Sequence, residues 1–402
     1  MLLFSWLMMF GQATLGVAEE SPAASASKDE TKTEEITNLL TPEELADGWI
    51  SLFDGSTLYG WRVASKAEWK VVDGTIEVRK GQAGLLHTTT QYADYELKLE
   101  FQADQGTNSG IFLRSPPRPQ APSRDCYELN IASEAESPFP TGSLVGRKRA
   151  TNDVFDTDWH AYHVVVQGGK FRVYLDEQLV LDYDDERPLG RGYIGLQLNH
   201  GRVAFRNIKL KPLGTESIFN GIDLTGWRIY PDKESQFTVH ESALRIVDGP
   251  GQIETTGEWA DFVLQTEIRV DGDELNSGIF FRAIPEDFSM GYESQIHNGV
   301  KDGDRNQPSN YGTGGIFRRQ PARLVMARDR EWFHKTIICE NNHMAVWVNG
   351  VQVSDWTDRR KADDNPRRGL RVEKGTIILQ GHDPTTDISF RNLRVVEMKP
   401  RR

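Results

Sequence analysis

The stretch NSGIFFRAIPEDFSMGYESQIHN, from Asn276 to Asn298, decides how this chain is read. Side chains of a β-strand alternate between two faces with a period of two. Ile279 and Phe281 therefore point one way, Phe280 and Arg282 the other. In the second half Tyr292, Ser294 and Ile296 share one side, while Glu293, Gln295 and His297 share the other. One face reads as a core and the opposite face as chemically equipped. A weaker copy lies upstream, where NSGIFLR (Asn108 to Arg114) is followed by YELNI (Tyr127 to Ile131).

Working outward, the repeat extends over most of the chain. SLFDGSTLYGWR (Ser51 to Arg62) matches SIFNGIDLTGWR (Ser217 to Arg228). Ser109-Gly110-Ile111 matches Ser277-Gly278-Ile279, and Tyr127-Glu128 matches Tyr292-Glu293. Trp159 pairs with Trp332, Gln197 with Gln380, and Phe205-Arg206-Asn207 with Phe390-Arg391-Asn392. The order is the same in both copies. Between these anchors lie short runs rich in Val, Ile, Phe and Tyr, such as YELKLEF (Tyr95 to Phe101) and MAVWV (Met344 to Val348), separated by turns such as Asn349-Gly350. Regular short strands with turn signals predict an antiparallel β-sandwich. The fold class expected is all-β, as two tandem jelly-roll sandwiches.

Length and composition agree with two cores. A chain of 402 residues exceeds one ordinary domain, and 26% charged with 38% hydrophobic residues is typical of globular protein. A net charge of -12 gives no footprint for nucleic acid. Residues 1–18 read as a signal peptide, with an apolar run (LLFSWLMMF) too short to span a bilayer and small residues up to Ala18. No Lys or Arg precedes that run. This reading predicts a periplasmic or secreted protein, and not an integral membrane one. Residues 19–48 read as a polar linker with a short helix at its end, Thr41 acting as N-cap and Pro42 as first helical residue. Residues 49–213 form the first module and 214–398 the second. Cys126 and Cys339 sit at unrelated places in the two copies and read as buried free thiols.

The copies differ in their insertions. The second is longer by 8 residues between its Tyr and Trp anchors and by 10 between Trp and Gln, in segments dense in arginine (RRQPAR from Arg318, DRRKADDNPRR from Asp358). Parity places Arg282, then Glu293, Gln295 and His297, then Gln380 and His382 on matching faces of three strands. If those strands share a sheet, the groups converge on one surface. Trp347, with Tyr174 as its counterpart, offers an aromatic platform for an apolar sugar face. A divalent metal held by Glu293, His297 and His382 stays open, without any tight ligand spacing such as HExxH. No GxSxG elbow, P-loop or dinucleotide fingerprint occurs.

The order F-[DN]-G-x-x-L-x-G-W, NSGIFFR, GYExQI, an Asn-Gly strand, LQ-x-H and FRN resembles the 3-keto-disaccharide hydrolase family, in two copies after residue 48. The resemblance implies a concanavalin A-like jelly roll, secreted or periplasmic, that acts on oxidised glycosides. It implies a carbohydrate substrate and net hydrolysis through proton abstraction at C2, elimination and hydration. Catalytic roles then fall on Glu293, His382 and Arg282. Gln295, His297, Gln380, Trp347, Arg114, Glu128 and Tyr174 become candidates for substrate binding. The alternative is a lectin-like protein that binds sugar without turnover. In the first copy Asn199 stands where the family has histidine, and YELNI lacks the glutamine. The second copy has Thr255-Thr256-Gly257 where relatives carry a basic residue. The two departures in the first copy make the second module the expected active one, while Thr255-Thr256-Gly257 counts against the second site.

Overall fold

A computed structural model describes residues 39–151 and 155–400. The segment expected to be a signal peptide and most of the expected polar linker, residues 1–38, lie outside the described residues. Among those described, no helix is long and apolar enough to cross a membrane. The linker ends in the helix Pro42–Ala46. It is held by a capping box in which Glu44 N–H bonds to Thr41 Oγ1 and Thr41 N–H bonds to the Glu44 carboxylate.

Each half of the chain folds into a sandwich of one eight-stranded and one five-stranded antiparallel sheet. In the first module the smaller sheet runs Trp61–Val63, Gly84–Thr88, Tyr193–Leu198, Asn108–Ser115, Tyr127–Ala132. The second repeats that order with Trp227–Ile229, Gly251–Thr255, Thr376–Gly381, Ser277–Ala283, Tyr292–Ile296. The alternation in the sequence accounts for the packing. Ile279, Phe281, Tyr292 and Ile296 enter one core with Ile253 and Leu379, and Ile111, Leu129 and Ile131 enter the other with Leu86 and Leu196. Truncating a fully buried Phe281 to Ala would cost about 3–5 kcal/mol.

Most repeat anchors make the same scaffold contact in both copies. Trp61 Nε1 donates to Leu52 O at 2.5 Å, and Trp227 Nε1 to Ile218 O at 2.8 Å. The Arg206 guanidinium lies 4.0 Å from the Trp159 ring centroid, and Arg391 lies 4.0 Å from Trp332. Ser109 Oγ donates to Gln197 O and Ser277 Oγ to Gln380 O, both at 2.7 Å. Asn207 and Asn392 both sit at φ 52°, a left-handed position that asparagine tolerates better than most side chains. Both cysteines are buried and unpaired, as the sequence indicates, and burial pushes each thiol up to about 12.

The modules pack against each other through the second module's larger sheet. Val263, Ile338, Ala345 and Trp347 join the first module's core cluster. Trp347 Nε1 donates to Ser51 O at 3.0 Å, Ser51 N to Gly350 O at 2.8 Å, and Gln265 Nε2 to Gly48 O at 2.8 Å.

Candidate active site

The five-stranded sheet of the second module turns Gln252, Glu254, Gln380, Phe280, Glu293 and Gln295 away from the core. Gly278 makes room for the acid: a Cβ there would come within 2.9 Å of the Glu293 Cγ. The Glu293 side chain is only 7% exposed, and burial raises its pKa from the ordinary carboxylate value, opposed by Arg367, His382 and Lys335. Arg367 Nη2 reaches Glu293 Oε2 at 3.2 Å, and its guanidinium stands 5.0 Å from the Phe280 ring centroid.

Arg367 lies in the second arginine-dense insertion, and the other arginines explain how it is aimed. Arg360 clamps Asp358 through both carboxylate oxygens, at 3.0 and 2.8 Å, and donates to Pro366 O and Gly369 O. Arg319, from the first insertion, donates to Arg367 O at 2.7 Å. The arm is thus curled onto the sheet by cations that satisfy its carbonyls. The 284–291 segment covers the other side of the face. Gln252 Oε1 accepts from Ser289 N–H at 2.7 Å, and Glu254 Oε1 accepts from Glu286 N–H at 3.0 Å and Arg228 Nε at 2.9 Å.

His382 follows the Thr376–Gly381 strand and is half-exposed, with Nδ1 2.8 Å from Asp383 Oδ2. Gln380 carries a buried Oε1 with no hydrogen-bond partner, and so does Gln197 at the same repeat position. A buried acceptor left unmatched in both copies suits a ligand hydroxyl.

Several residues expected at the site lie elsewhere. Arg282 does not share a face with Phe280. The register slips between Phe280 and Ala283, with Arg282 at φ 46°, and the bulge breaks the alternation on which the parity rested. Its fully buried guanidinium instead bonds Ala260 O, Asn341 O, Arg371 O and Asp261 Oδ1 at 2.6–3.0 Å. Arg114 repeats this at φ 50° with Ala93 O, Gly168 O, Leu189 O and Asp94. Trp347 is 1% exposed, sealed at the module junction, and offers no sugar platform. Tyr174 belongs to the larger sheet, opposite the Glu128 face. It stacks on His163 with centroids 5.4 Å apart and lines a separate cavity of about 680 Å³.

Gln295 does lie beside Glu293 in parity but is fully buried, its Nε2 spent on Asn276 Oδ1 and Asn310 O. The charged neighbours of His297 are Glu274 and Asp329, and burial lowers its pKa. Glu293, His297 and His382 therefore form no ligand set, and among the described residues no group of three His, Cys, Asp or Glu side chains could hold a metal ion.

The first module presents the same face with different chemistry. Glu128 is likewise 7% exposed, and burial pushes its carboxyl up to about 7, with the Gln197 side chain opposing the rise. A cavity of about 550 Å³ opens nearby, lined by Leu85, Phe112, Gln197, Pro117, Pro119 and Arg118. Beneath the two acid strands the sandwich interiors also differ. Tyr162 donates its hydroxyl to Asn130 O at 2.7 Å, whereas Lys335 donates Nζ to Ser294 O at 3.1 Å and Gln295 O at 2.9 Å. Burial lowers the Lys335 amine to about 7.

Sequence reasoning missed Gln252, Glu254 and Arg367. The first two alternate with Ile253 in GQIET, a signal of the same kind as YESQI. Arg367 had none, being one of five basic residues in DRRKADDNPRR.

Comparison with known proteins agrees with the repeat. The family model for the 3-keto-alpha-glucoside-1,2-lyase-like domain matches residues 48–211 and 214–396. A 3-keto-disaccharide hydrolase of Bacteroides thetaiotaomicron is 35% identical over 119 residues, covering 25% of this chain and 40% of that protein. The chain thus aligns with well under half the length of that relative. Among solved structures, one from Parabacteroides distasonis, provisionally named a glycosyl hydrolase, shares 26% identity over 47% of this chain and 85% of its own, with a TM-score of 0.37. The carbohydrate-binding module CBM66 of Bacillus subtilis shares 16% identity over 38% of this chain and 95% of its own, with a TM-score of 0.31. With both modules matched over nearly their whole length, the chain belongs to the 3-keto-alpha-glucoside-1,2-lyase-like domain family, as two tandem copies.

Proposed function

We propose that the second module cleaves 3-keto glycosides, with Glu293 as the proton-transfer group. One observation carries this reading. Most anchors of the repeat are absorbed by identical scaffold contacts, whereas the Glu128 and Glu293 carboxyls are held at the floor of a face, and Glu293 alone is met by an arginine, at 3.2 Å. A C3 ketone acidifies the C2 hydrogen of the sugar. Glu293 takes that proton, and the C2–H electron pair becomes the enolate, whose oxygen faces the Arg367 guanidinium. The enolate collapses to a C1–C2 double bond as the C1–O bond breaks, and His382, oriented by Asp383, protonates the departing oxygen. Water then adds at C1, losing a proton to His382, while Glu293 returns its own proton to C2, which restores both groups for net hydrolysis. Burial supports the base by keeping the carboxyl more basic than an exposed glutamate, while Arg367 keeps it ionised.

The first module is proposed to bind sugar without turnover, since its Glu128 lacks an arginine and Asn199 replaces the histidine. Export to the periplasm or medium is part of this proposal and rests on the opening apolar run. The test is product analysis of a 3-keto-glucoside incubated with the full chain and with Glu293→Gln. Released aglycone with the wild type and not with the variant is expected. Saturable binding with no product from the wild type would establish the lectin-like alternative instead.

A further inference from the structure

A side chain of the first module enters a polar cluster of the second module that leads to the arm beside the proposed site. Arg191, 4% exposed, places Nη1 2.5 Å from Asp261 Oδ2 and donates from Nη2 to Asn341 Oδ1 at 3.2 Å. Arg282 of the second module takes the other half of the same two residues, with Nη2 on Asp261 Oδ1 at 2.8 Å and Nη1 on Asn341 O at 2.6 Å. Asn341 N–H closes the set on Asp261 Oδ1 at 2.8 Å. One carboxylate and one asparagine are thus shared by two arginines from different modules.

The same Arg282 Nη1 continues to Arg371 O at 3.0 Å, and Arg371 N–H bonds the Tyr292 hydroxyl at 2.9 Å. Arg371 ends the arm that carries Arg367 to Glu293. In the first module the corresponding carboxylate, Asp94, binds Arg114 and Gly168 N–H, and its side chain is 38% exposed against 19% for Asp261. The arrangement around Asp261 is therefore an elaboration of a scaffold contact, extended across the junction. Charge-assisted bonds enclosed in protein polarise one another, so loss of one loosens its neighbours.

We propose that Arg191 is a positioning residue: from the first module, through Asp261, Asn341 and Arg282, it holds the 365–371 arm that presents Arg367 to Glu293. The catalytic consequence rests on the function proposed above, whereas the mechanical one does not. Hydrogen exchange on the full chain separates them. In Arg191→Gln, amides of 365–371 should exchange roughly two- to thirtyfold faster, the range that coupling through such networks spans. Amides of 284–291, which Arg367 Nε and Asn365 Nδ2 bond directly at Ser289 O and Met290 Sδ, should follow the arm, whereas those of the hairpin Gln236–His240 and Ala243–Val247 should keep their rate. Arg191→Lys, which keeps the charge and guards against a variant that fails to fold, should show the same pattern at smaller size. On a 3-keto-glucoside kcat should fall by the same factor with KM unchanged. Unchanged exchange at 365–371, or equal acceleration in the 236–247 hairpin, overturns the proposal. The selective pattern in a protein without turnover upholds the positioning role and overturns the functional reading instead.

Discussion

Glu128 and Glu293 occupy the same strand position in two copies of one fold, and both are 7% exposed. They nevertheless sit in different electrostatic surroundings. Glu128 has a glutamine beside it and a carboxyl pushed to about 7, whereas Glu293 faces Arg367 at 3.2 Å with Lys335 beneath its strand. Duplicated scaffold with unequal surroundings teaches that the fold's anchors and its chemistry can be separated residue by residue. Contacts made identically in both copies maintain the sandwich. Contacts made in only one are where function is to be sought.

The largest expected difference is in turnover. Glu293→Gln should lower the rate on a 3-keto-glucoside by about 10²–10⁴, the usual contribution of a positioned acid or base, while Glu128→Gln leaves it within about twofold. Equal losses in steady-state assays of both variants would break the comparison. Arg114 and Arg282, whose guanidiniums bond matching backbone carbonyls, should instead both act on stability. Arg114→Met and Arg282→Met should each destabilise the protein by about 3 kcal/mol, because each leaves three backbone carbonyls without the buried guanidinium that satisfies them. Urea titrations in which either variant was as stable as the wild type would break the reading of both arginines as scaffold.

Smaller effects concern protons. The Glu128 carboxyl is raised in the folded state, so between its unfolded pKa near 4.5 and about 7 the native protein binds the extra proton, and stability falls as pH rises through that window. The shift corresponds to about 3 kcal/mol. Glu128→Gln should flatten this slope when denaturation is compared at pH 5 and pH 8. Lys335 has the opposite sign. Its amine is depressed from 10.5 to about 7, so the unfolded state binds more protons between those values and stability rises with pH across them. Lys335→Tyr, which installs the first module's residue, should stabilise the protein at pH 6 more than at pH 9; thermal melts with the reverse ordering would contradict the assignment of Lys335 as a buried amine under strain.

The sandwich and its duplication were legible because both rest on local rules. Alternation in YESQI and SGIFF, and invariant spacing around Trp61 and Trp227, need no tertiary knowledge. Glu293, Gln295 and Gln380 were placed on the correct face for the same reason. Arg282 was misplaced because a single bulge between Phe280 and Ala283 reverses parity, and a one-residue slip leaves no trace in composition. Trp347 was misread because the surface that covers it belongs to the other module, nearly 300 residues away in the Ser51 contact. Arg367 was invisible among its basic neighbours. Its position depends on Arg319 and Arg360 bonding carbonyls that no periodicity reveals.

The central claim is that C2 proton transfer occurs in the second module and depends on Glu293. It is tested most directly by incubating a 3-keto-glucoside in D₂O and following the C2 hydrogen by proton NMR. Deuterium should enter C2 of substrate or released sugar with the wild type and with Glu128→Gln, and should not enter with folded Glu293→Gln. Exchange that persists in Glu293→Gln and disappears in Glu128→Gln would place the chemistry in the other module and contradict the account.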